Sequence, residues 1–423
     1  MNGRIAVSRP FNLARLGAAV GLAALLVACD AGEPPPTAYG TWRAVFAIQG
    51  GDLPFGLEIA REGDTDVAWL VNGPERARVD DVTLDGDRIS MKMPGYPHRL
   101  EARLVDGRIE GEVTFLRPGG ETRVARLVAQ RGQDWRFFPA PASEQSDFGG
   151  RWALTFTRPD TGAERFAIAD LAQTGHEVNG TVLRESGDDR YIAGEARGDT
   201  VFLSRFDGGS AYLYVARLLP DGTLEGEFRT ATGGYETILG RRDAAAVLPD
   251  PDAAGRTRLK AGTERLRFTF PDLDGRQVSL DDPRFAGKVV IVTIGGSWCP
   301  NCHDEAAFLR DFLRGRRERG LEVVQLMFEY TDDFAASAAA ARDFARKFGI
   351  DYPVLIAGTA GEVPEKLPQL EAFYAYPTML VLDREGVIRH VHTGFSGPAT
   401  GQVYEDFVAG FTALVDGMLA PGA

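Results

Sequence analysis

The chain reads as a multidomain protein in which two duplicated all-β units, each an antiparallel barrel or sandwich, precede a single α/β domain. Three observations predict this. At 423 residues the chain exceeds what one compact core accommodates. Up to Arg242, short runs alternate apolar and polar residues between Asp-Gly and Pro-Gly turns, the pattern of strands with one buried face. After Gly262 the period changes to continuous apolar runs separated by segments of helical spacing.

Composition narrows the class further. Apolar residues make up 44% and charged residues 25%, ordinary values for a folded protein. The net charge of −13, with no basic stretch interleaved with aromatics, argues against nucleic acid as a partner. Only three cysteines occur, Cys29, Cys299 and Cys302, so no disulfide framework is available and apolar cores must hold the domains.

Residues 1–29 have the form of a signal peptide. Arg4, Arg9 and Arg15 precede the apolar run Leu16 to Val27, followed by Ala28 and Cys29. The run is short of the ~20 residues of a spanning helix. Leu26-Val27-Ala28-Cys29 resembles a bacterial lipoprotein box, which implies acylation of Cys29 and attachment to a lipid bilayer. Asp30 resembles an inner-membrane retention signal, so the expected location is the cell envelope, lipid-anchored and facing the periplasm. Residues 30–38, with Pro34, Pro35 and Pro36, read as a stiff tether.

The β repeats are expected at 39–135 and 146–242. Gly40-Thr41-Trp42-Arg43-Ala44 recurs as Gly150-Arg151-Trp152-Ala153, and Gly86-Asp87-Arg88-Ile89-Ser90 as Gly198-Asp199-Thr200-Val201-Phe202. Asp106-Gly107-Arg108-Ile109-Glu110-Gly111-Glu112 recurs as Asp221-Gly222-Thr223-Leu224-Glu225-Gly226-Glu227. Matches kept in order at nearly constant offset indicate duplication, with room for about eight short strands in each copy. Gly-x-Trp opens both copies and resembles the first-strand motif of lipocalin-type barrels; the simpler reading makes Trp42 and Trp152 core aromatics of a first strand. Neither copy shows clustered ligands, and no activity is assigned to them.

A polar linker, 243–262, leads to the α/β domain, 263–423. Leu266 to Leu280 predicts a hairpin around Asp274-Gly275, and Lys288 to Ile294 a strand buried on both faces. Ala306 to Arg314 has helical spacing; Leu321 to Tyr330 is a strand, Asp333 to Phe348 a helix and Tyr352 to Ile356 a strand. Thr378 to Leu382 and Val387 to His392 pair across a turn, and Val403 to Leu419 closes the domain as a helix. This order, with Cys299 and Cys302 at the first strand-to-helix turn, is a thioredoxin-like layout.

Trp298-Cys299-Pro300-Asn301-Cys302-His303 admits two chemistries. Cys-x-x-Cys after a buried strand is a dithiol redox centre, whereas Cys-x-x-Cys-His is a haem attachment sequence. At a helix N-terminus, unpaired N–H groups and the helix dipole favour thiolate, which makes Cys299 the expected nucleophile. Cys302, one turn on, would resolve the mixed disulfide, the pair closing as a redox disulfide. Pro300 suits the first helical position, and Trp298 is expected beside the pair.

With Tyr376-Pro377-Thr378 before an apolar strand, and with Phe270-Pro271-Asp272-Leu273-Asp274-Gly275, Gly287-Lys288-Val289-Val290-Ile291-Val292 and Asp383-Arg384-Glu385-Gly386, the C-terminal third resembles the TlpA/ResA-like family of extracytoplasmic thiol-disulfide oxidoreductases. The resemblance implies a protein-disulfide reductase recharged by a membrane electron donor, acting on protein disulfides without a cofactor. It implies a cis peptide at Pro377 against the cysteines, with the backbone of Tyr376 meeting the substrate chain. It also implies a partly buried acid at Glu305 that manages protons on the pair; the alternative for Glu305 is a helix-surface carboxylate.

Haem attachment would need His303 as axial ligand in a small helical domain, whereas here the pair follows a buried strand and His303 is read as solvent-facing. A peroxiredoxin-like peroxidase needs Pro and Thr shortly before its cysteine, and Val292-Thr293-Ile294-Gly295-Gly296-Ser297-Trp298 lacks that Pro. A lipoprotein binding module with a merely structural thioredoxin domain would have no use for both cysteines. No metal site is predicted, since no further ligands cluster with the pair. The segment His392 to Gly401 reads as a long Gly-rich turn that either borders the active face or only joins strand to helix, the second being preferred.

Overall fold

The computed structural model describes residues 37–420. The expected signal peptide, Cys29 and most of the expected tether lie outside the described residues. Among the described residues, no helix is long and apolar enough to cross a membrane.

Each β repeat contributes nine strands, one more than the alternation suggested. In the first, from Gly40–Ile48 to Thr122–Arg131, sequential strands pair antiparallel and the first strand also pairs with the last. This sheet stays open between Glu75–Val79 and Val82–Asp85. In the second, the edges meet because Glu164–Thr174 pairs with both Gly150–Thr157 and Glu177–Arg184, which closes the sheet into a barrel.

The opening tryptophans show the duplication in side-chain detail. Trp42 lies opposite Arg131 of its last strand and Trp152 opposite Arg242. In both, the guanidinium covers the indole, at 4.4 and 4.6 Å from the ring centroid. Each indole N–H donates to the carbonyl four residues earlier, Ala38 at 2.9 Å and Phe148 at 2.8 Å. The tryptophans are therefore core aromatics, as the simpler reading held, and each is capped by an arginine from the closing strand.

The two repeats are not packed as independent bodies. Phe206, Ala211 and Leu213 of the second repeat belong to the apolar core of the first. The Phe206 ring lies 5.0 Å from Phe46 and 4.9 Å from Phe55. Asn72 fastens the same place, donating to and accepting from the Phe206 backbone at 2.9 Å. Removing one large aromatic side chain from water contributes about 1.5–3 kcal/mol, so this seam adds substantially to the stability of both repeats.

The α/β domain is built on a five-stranded sheet in the order Val354–Thr359, Leu321–Glu329, Val289–Gly295, Thr378–Leu382, Ile388–Thr393. Its first three strands run parallel, and Val289–Gly295 and Leu321–Glu329 are buried along their whole length. Helices Pro300–Leu313, Phe334–Phe348 and Gln402–Met418 complete the layers. Asp333 caps the second helix by accepting from Ala336 N–H at 3.0 Å, and Gly349 ends it at φ +60°, the left-handed turn that glycine adopts without a Cβ penalty. A short turn at Val363–Lys366 and the small strand Leu370–Ala372 escaped the periodicity reading, being too short to show a period.

Residues 243–262 differ from the free linker expected from composition. Arg258–Leu259 pairs with Leu370–Ala372, Arg256 forms an ion pair with Glu185 at 3.1 Å, and Asp252 accepts from Thr393 N–H at 2.7 Å. Polar composition here reflects side chains that bind backbone and charge across the domain seam.

Candidate active site

Cys299 sits at the N-cap of helix Pro300–Leu313, directly after the central strand. Its backbone is extended (φ −97°, ψ 114°), Pro300 fills the first helical position, and the Cys302 N–H donates to Cys299 Sγ at 3.3 Å. A sulfur therefore takes the place of the usual oxygen acceptor for an otherwise orphaned helix donor. Both cysteines are free. Cys302 is fully buried, and Cys299 is 5% exposed. Burial, then the hydrogen bond and charge of Cys299 and the charge of Glu305, push the Cys302 thiol well above its ordinary value.

The Tyr376–Pro377 peptide bond is cis. Tyr376 meets the Trp298 ring edge-on at 5.1 Å, and Trp298 stacks on Tyr330 at 4.5 Å while its indole N–H donates to Phe328 O at 2.8 Å. Trp298, Tyr376 and Pro377, predicted from distant stretches, are thus brought to one end of the sheet beside the cysteines.

Glu305 lies deeper than a partly buried acid and is not a surface carboxylate. It is fully buried; Oε2 accepts from Thr293 Oγ1 at 2.5 Å, and Oε1 has no hydrogen-bond partner among the described residues. Burial pushes its carboxyl up to about 8, against the opposing effect of the Thr293 bond. At pH 7 the protonated form therefore dominates, and the carboxyl lies close enough that its ionised form acts on Cys302.

Two further buried polar groups were not singled out from the sequence. Glu329 accepts from Ser297 N–H at 2.9 Å and from Ser297 Oγ at 2.7 Å, fixing the residue before Trp298; burial, opposed by those bonds, raises its carboxyl to about 7. Gln325 has neither amide atom paired among the described residues. A Cβ on Gly295 would fall 2.6 Å from its Nε2 and 3.4 Å from Cys302 Sγ, so Gln325 adjoins the buried sulfur across that glycine. Polar residues inside a strand buried along its length were the available signal.

His303 is not solvent-facing. It is 1% exposed, stacks on Tyr96 at 3.9 Å and 14°, and has both ring nitrogens engaged. Nε2 lies 2.8 Å from Ser297 O, which only accepts, so Nε2 carries the proton and Nδ1 accepts from Lys347 Nζ at 3.0 Å. Burial and the Lys347 charge hold the imidazole well below its usual range. With both nitrogens committed, His303 is a packing residue and has no free nitrogen for an axial haem bond.

The β repeats embrace this helix end. Arg190 of the second repeat bonds Glu75 at 2.7 Å and Asp304 at 3.0 Å and approaches Asp207 at 3.6 Å. Asn301, its amide oriented by its partners, donates to Asp188 O at 2.9 Å and accepts from Asp188 N–H at 3.0 Å. The Gly-rich turn after His392 does more than join strand to helix: Gly397 N–H donates to Asp188 Oδ1 at 2.7 Å, and Gly187 pairs with Phe395. At Gly187 (φ +139°) a Cβ would fall on the Asn301 side-chain amide, so only glycine permits this approach.

What remains open is a cleft of about 1020 Å³ between the second repeat and the α/β domain. Cys299, Pro300, Asn301 and Tyr376 form one wall, and Arg184, Asp189, Tyr212 and Glu236 belong to the other. A thiol at the rim of a polar cleft, backed by a buried thiol and a neutral acid, suits two-electron exchange with a disulfide entering the cleft.

In comparison with known proteins, residues 260–406 match the Redoxin family model. Over 135 residues, 32% of this chain and 70% of the relative, the chain is 25% identical to the thiol-disulfide oxidoreductase ResA of Bacillus anthracis. It is 23% identical to the ResA of Bacillus subtilis over 141 residues, 33% of this chain and 72% of that one. A solved structure of a thiol:disulfide interchange protein DsbE from Chlorobium tepidum, described there as putative, aligns over 38% of this chain and 100% of its own at 20% identity, with a TM-score of 0.29.

Proposed function

We propose that this thiol-disulfide oxidoreductase, a TlpA/ResA-like member of the thioredoxin superfamily, is a lipid-anchored envelope enzyme that reduces protein disulfides. The observation that carries the reading is the unequal setting of the two sulfurs. Cys299 lines the cleft, while Cys302 is sealed behind it with Glu305.

Cys299 thiolate attacks one sulfur of a substrate disulfide, forming a mixed disulfide and releasing the other substrate sulfur as thiolate. Cys302 gives its proton to the ionised fraction of Glu305, and its thiolate then attacks Cys299 Sγ, breaking the mixed disulfide and releasing the second substrate sulfur as thiolate, which takes up a proton from water. The substrate gains two electrons and the Cys299–Cys302 disulfide forms. A membrane dithiol donor returns those two electrons. Tyr376 and Pro377 supply the backbone against which the substrate lies, and Trp298 backs Tyr376. The barrel wall opposite restricts entry to a segment able to thread the cleft, which favours unfolded or loop-borne disulfides over those inside rigid surfaces. Acylated Cys29 would hold the chain on the bilayer, with the inner membrane indicated by Asp30.

Trapping tests this. In cells producing the Cys302→Ser chain, mixed disulfides through Cys299 should accumulate and dissolve on reduction, whereas the Cys299→Ser chain should trap none. Equal trapping by both variants, or by neither, would refute the assignment of roles. In the same cells, Cys29→Ser should move the chain from the membrane to the soluble fraction.

A further inference from the structure

We propose that Asp252, His390 and His392 form a divalent transition-metal site that straps residues 243–262 to the edge of the α/β sheet. One ligand atom from each residue lies within 4.8 Å of the other two. His390 and His392 occupy alternate positions of the edge strand Ile388–Thr393, so both side chains stand on one face of it, their rings 6.1 Å apart at 17°. Asp252 comes from 140 positions away in the chain, which is why no ligand spacing announced the group in the sequence.

The donor set is prearranged. Thr393 N–H holds Asp252 Oδ1 at 2.7 Å, leaving Oδ2 facing His392 Nδ1 at 3.0 Å. Such outer hydrogen bonds are what orient a ligating carboxylate. The His392 ring is steadied by Phe407, whose centroid lies 4.8 Å away. Asp252 and His392 side chains are 21% and 23% exposed, so an ion can enter while much of its surroundings stays dry.

Two imidazoles and one carboxylate suit Zn²⁺, whose bonds of about 2.0–2.2 Å set tetrahedral ligands about 3.4 Å apart, a small closure from the present spacing. The ion would take the place of the hydrogen bond between His392 Nδ1 and Asp252 Oδ2, and water would fill the fourth position. The strap reaches the redox centre by a short route: Thr393 pairs with Thr378, and Gly394 N–H donates to Pro377 O at 2.8 Å.

The test uses Zn²⁺ alone with the purified full chain carrying Cys299→Ser and Cys302→Ser, so that thiols do not compete for the metal. Calorimetry should give one Zn²⁺ per chain, with affinity falling at least tenfold in Asp252→Asn and in His390→Ala/His392→Ala. Zn²⁺ should also raise the thermal midpoint of the parent and leave that of the double-histidine variant unchanged. Circular dichroism of each variant establishes that it is folded. Absence of one-to-one binding by the parent, or binding unchanged in a folded double-histidine variant, would overturn the site.

Discussion

Arg190→Met is expected to cost about 3–5 kcal/mol of folding stability, the range for removing one partner from a buried ion cluster. The Arg190 guanidinium is the shared cation of Glu75, Asp207 and Asp304, whose side chains are 7%, 2% and 14% exposed. Asp207 retains Arg205 and the Tyr96 hydroxyl, but Asp304 loses its cation at the helix that carries the cysteines. Methionine fills much of the volume, so the loss measures charge more than cavity. Arg190→Lys should recover only part of it, because a single ammonium cannot reach three carboxylates from different segments. Urea denaturation of the three proteins tests this; a loss below 1 kcal/mol for Arg190→Met would show that the cluster is not coupling the repeats to the helix.

The second large effect is a pH dependence owed to Glu305. Its carboxyl is raised by burial from an ordinary 4.5 to about 8, so between those values the folded chain keeps a proton that the unfolded chain has released. Folding stability must then fall as pH rises through that window, and a shift of this size is worth on the order of 4–5 kcal/mol once pH exceeds the upper value. Glu305→Gln stays neutral and keeps an acceptor for Thr293, so it should be close to wild type at pH 4.5 and more stable by several kcal/mol at pH 9. Glu329, raised by burial to about 7, contributes a slope of the same sign that the variant leaves in place. Denaturation midpoints of the reduced proteins at the two pH values measure the difference. An advantage for Glu305→Gln that is the same at both would rule out a protonated Glu305.

Local features were legible: the cysteine pair behind a buried strand, Pro300 at the helix start, the hairpin at Asp274-Gly275 and the strand after Pro377 all follow from short-range pattern. What the pattern could not supply was the identity of the neighbours. His303 looked solvent-facing because the first turn of such a helix usually is, yet Tyr96 and Lys347 cover it from segments far away in the chain. Asn301, unremarkable between two cysteines, is spent on the Asp188 backbone.

The β repeats illustrate the same boundary. Alternation and turns announced the strands, and the recurrence of Gly-x-Trp announced the copies. Closure of the second sheet depends on the long strand Glu164–Thr174 meeting Glu177–Arg184, while the first stays open and takes Phe206 of its neighbour into its core. No local period encodes that exchange. Its consequence for the site is concrete: the second repeat supplies a wall of the cleft at Cys299.

Limited alkylation of the reduced wild-type chain separates the two sulfurs, Cys299 as the entering nucleophile and Cys302 as the sealed partner. With a substoichiometric amount of iodoacetamide at pH 7, followed by peptide mapping, the label should fall on Cys299 at least tenfold more often than on Cys302. Equal labelling, or preference for Cys302, would contradict it.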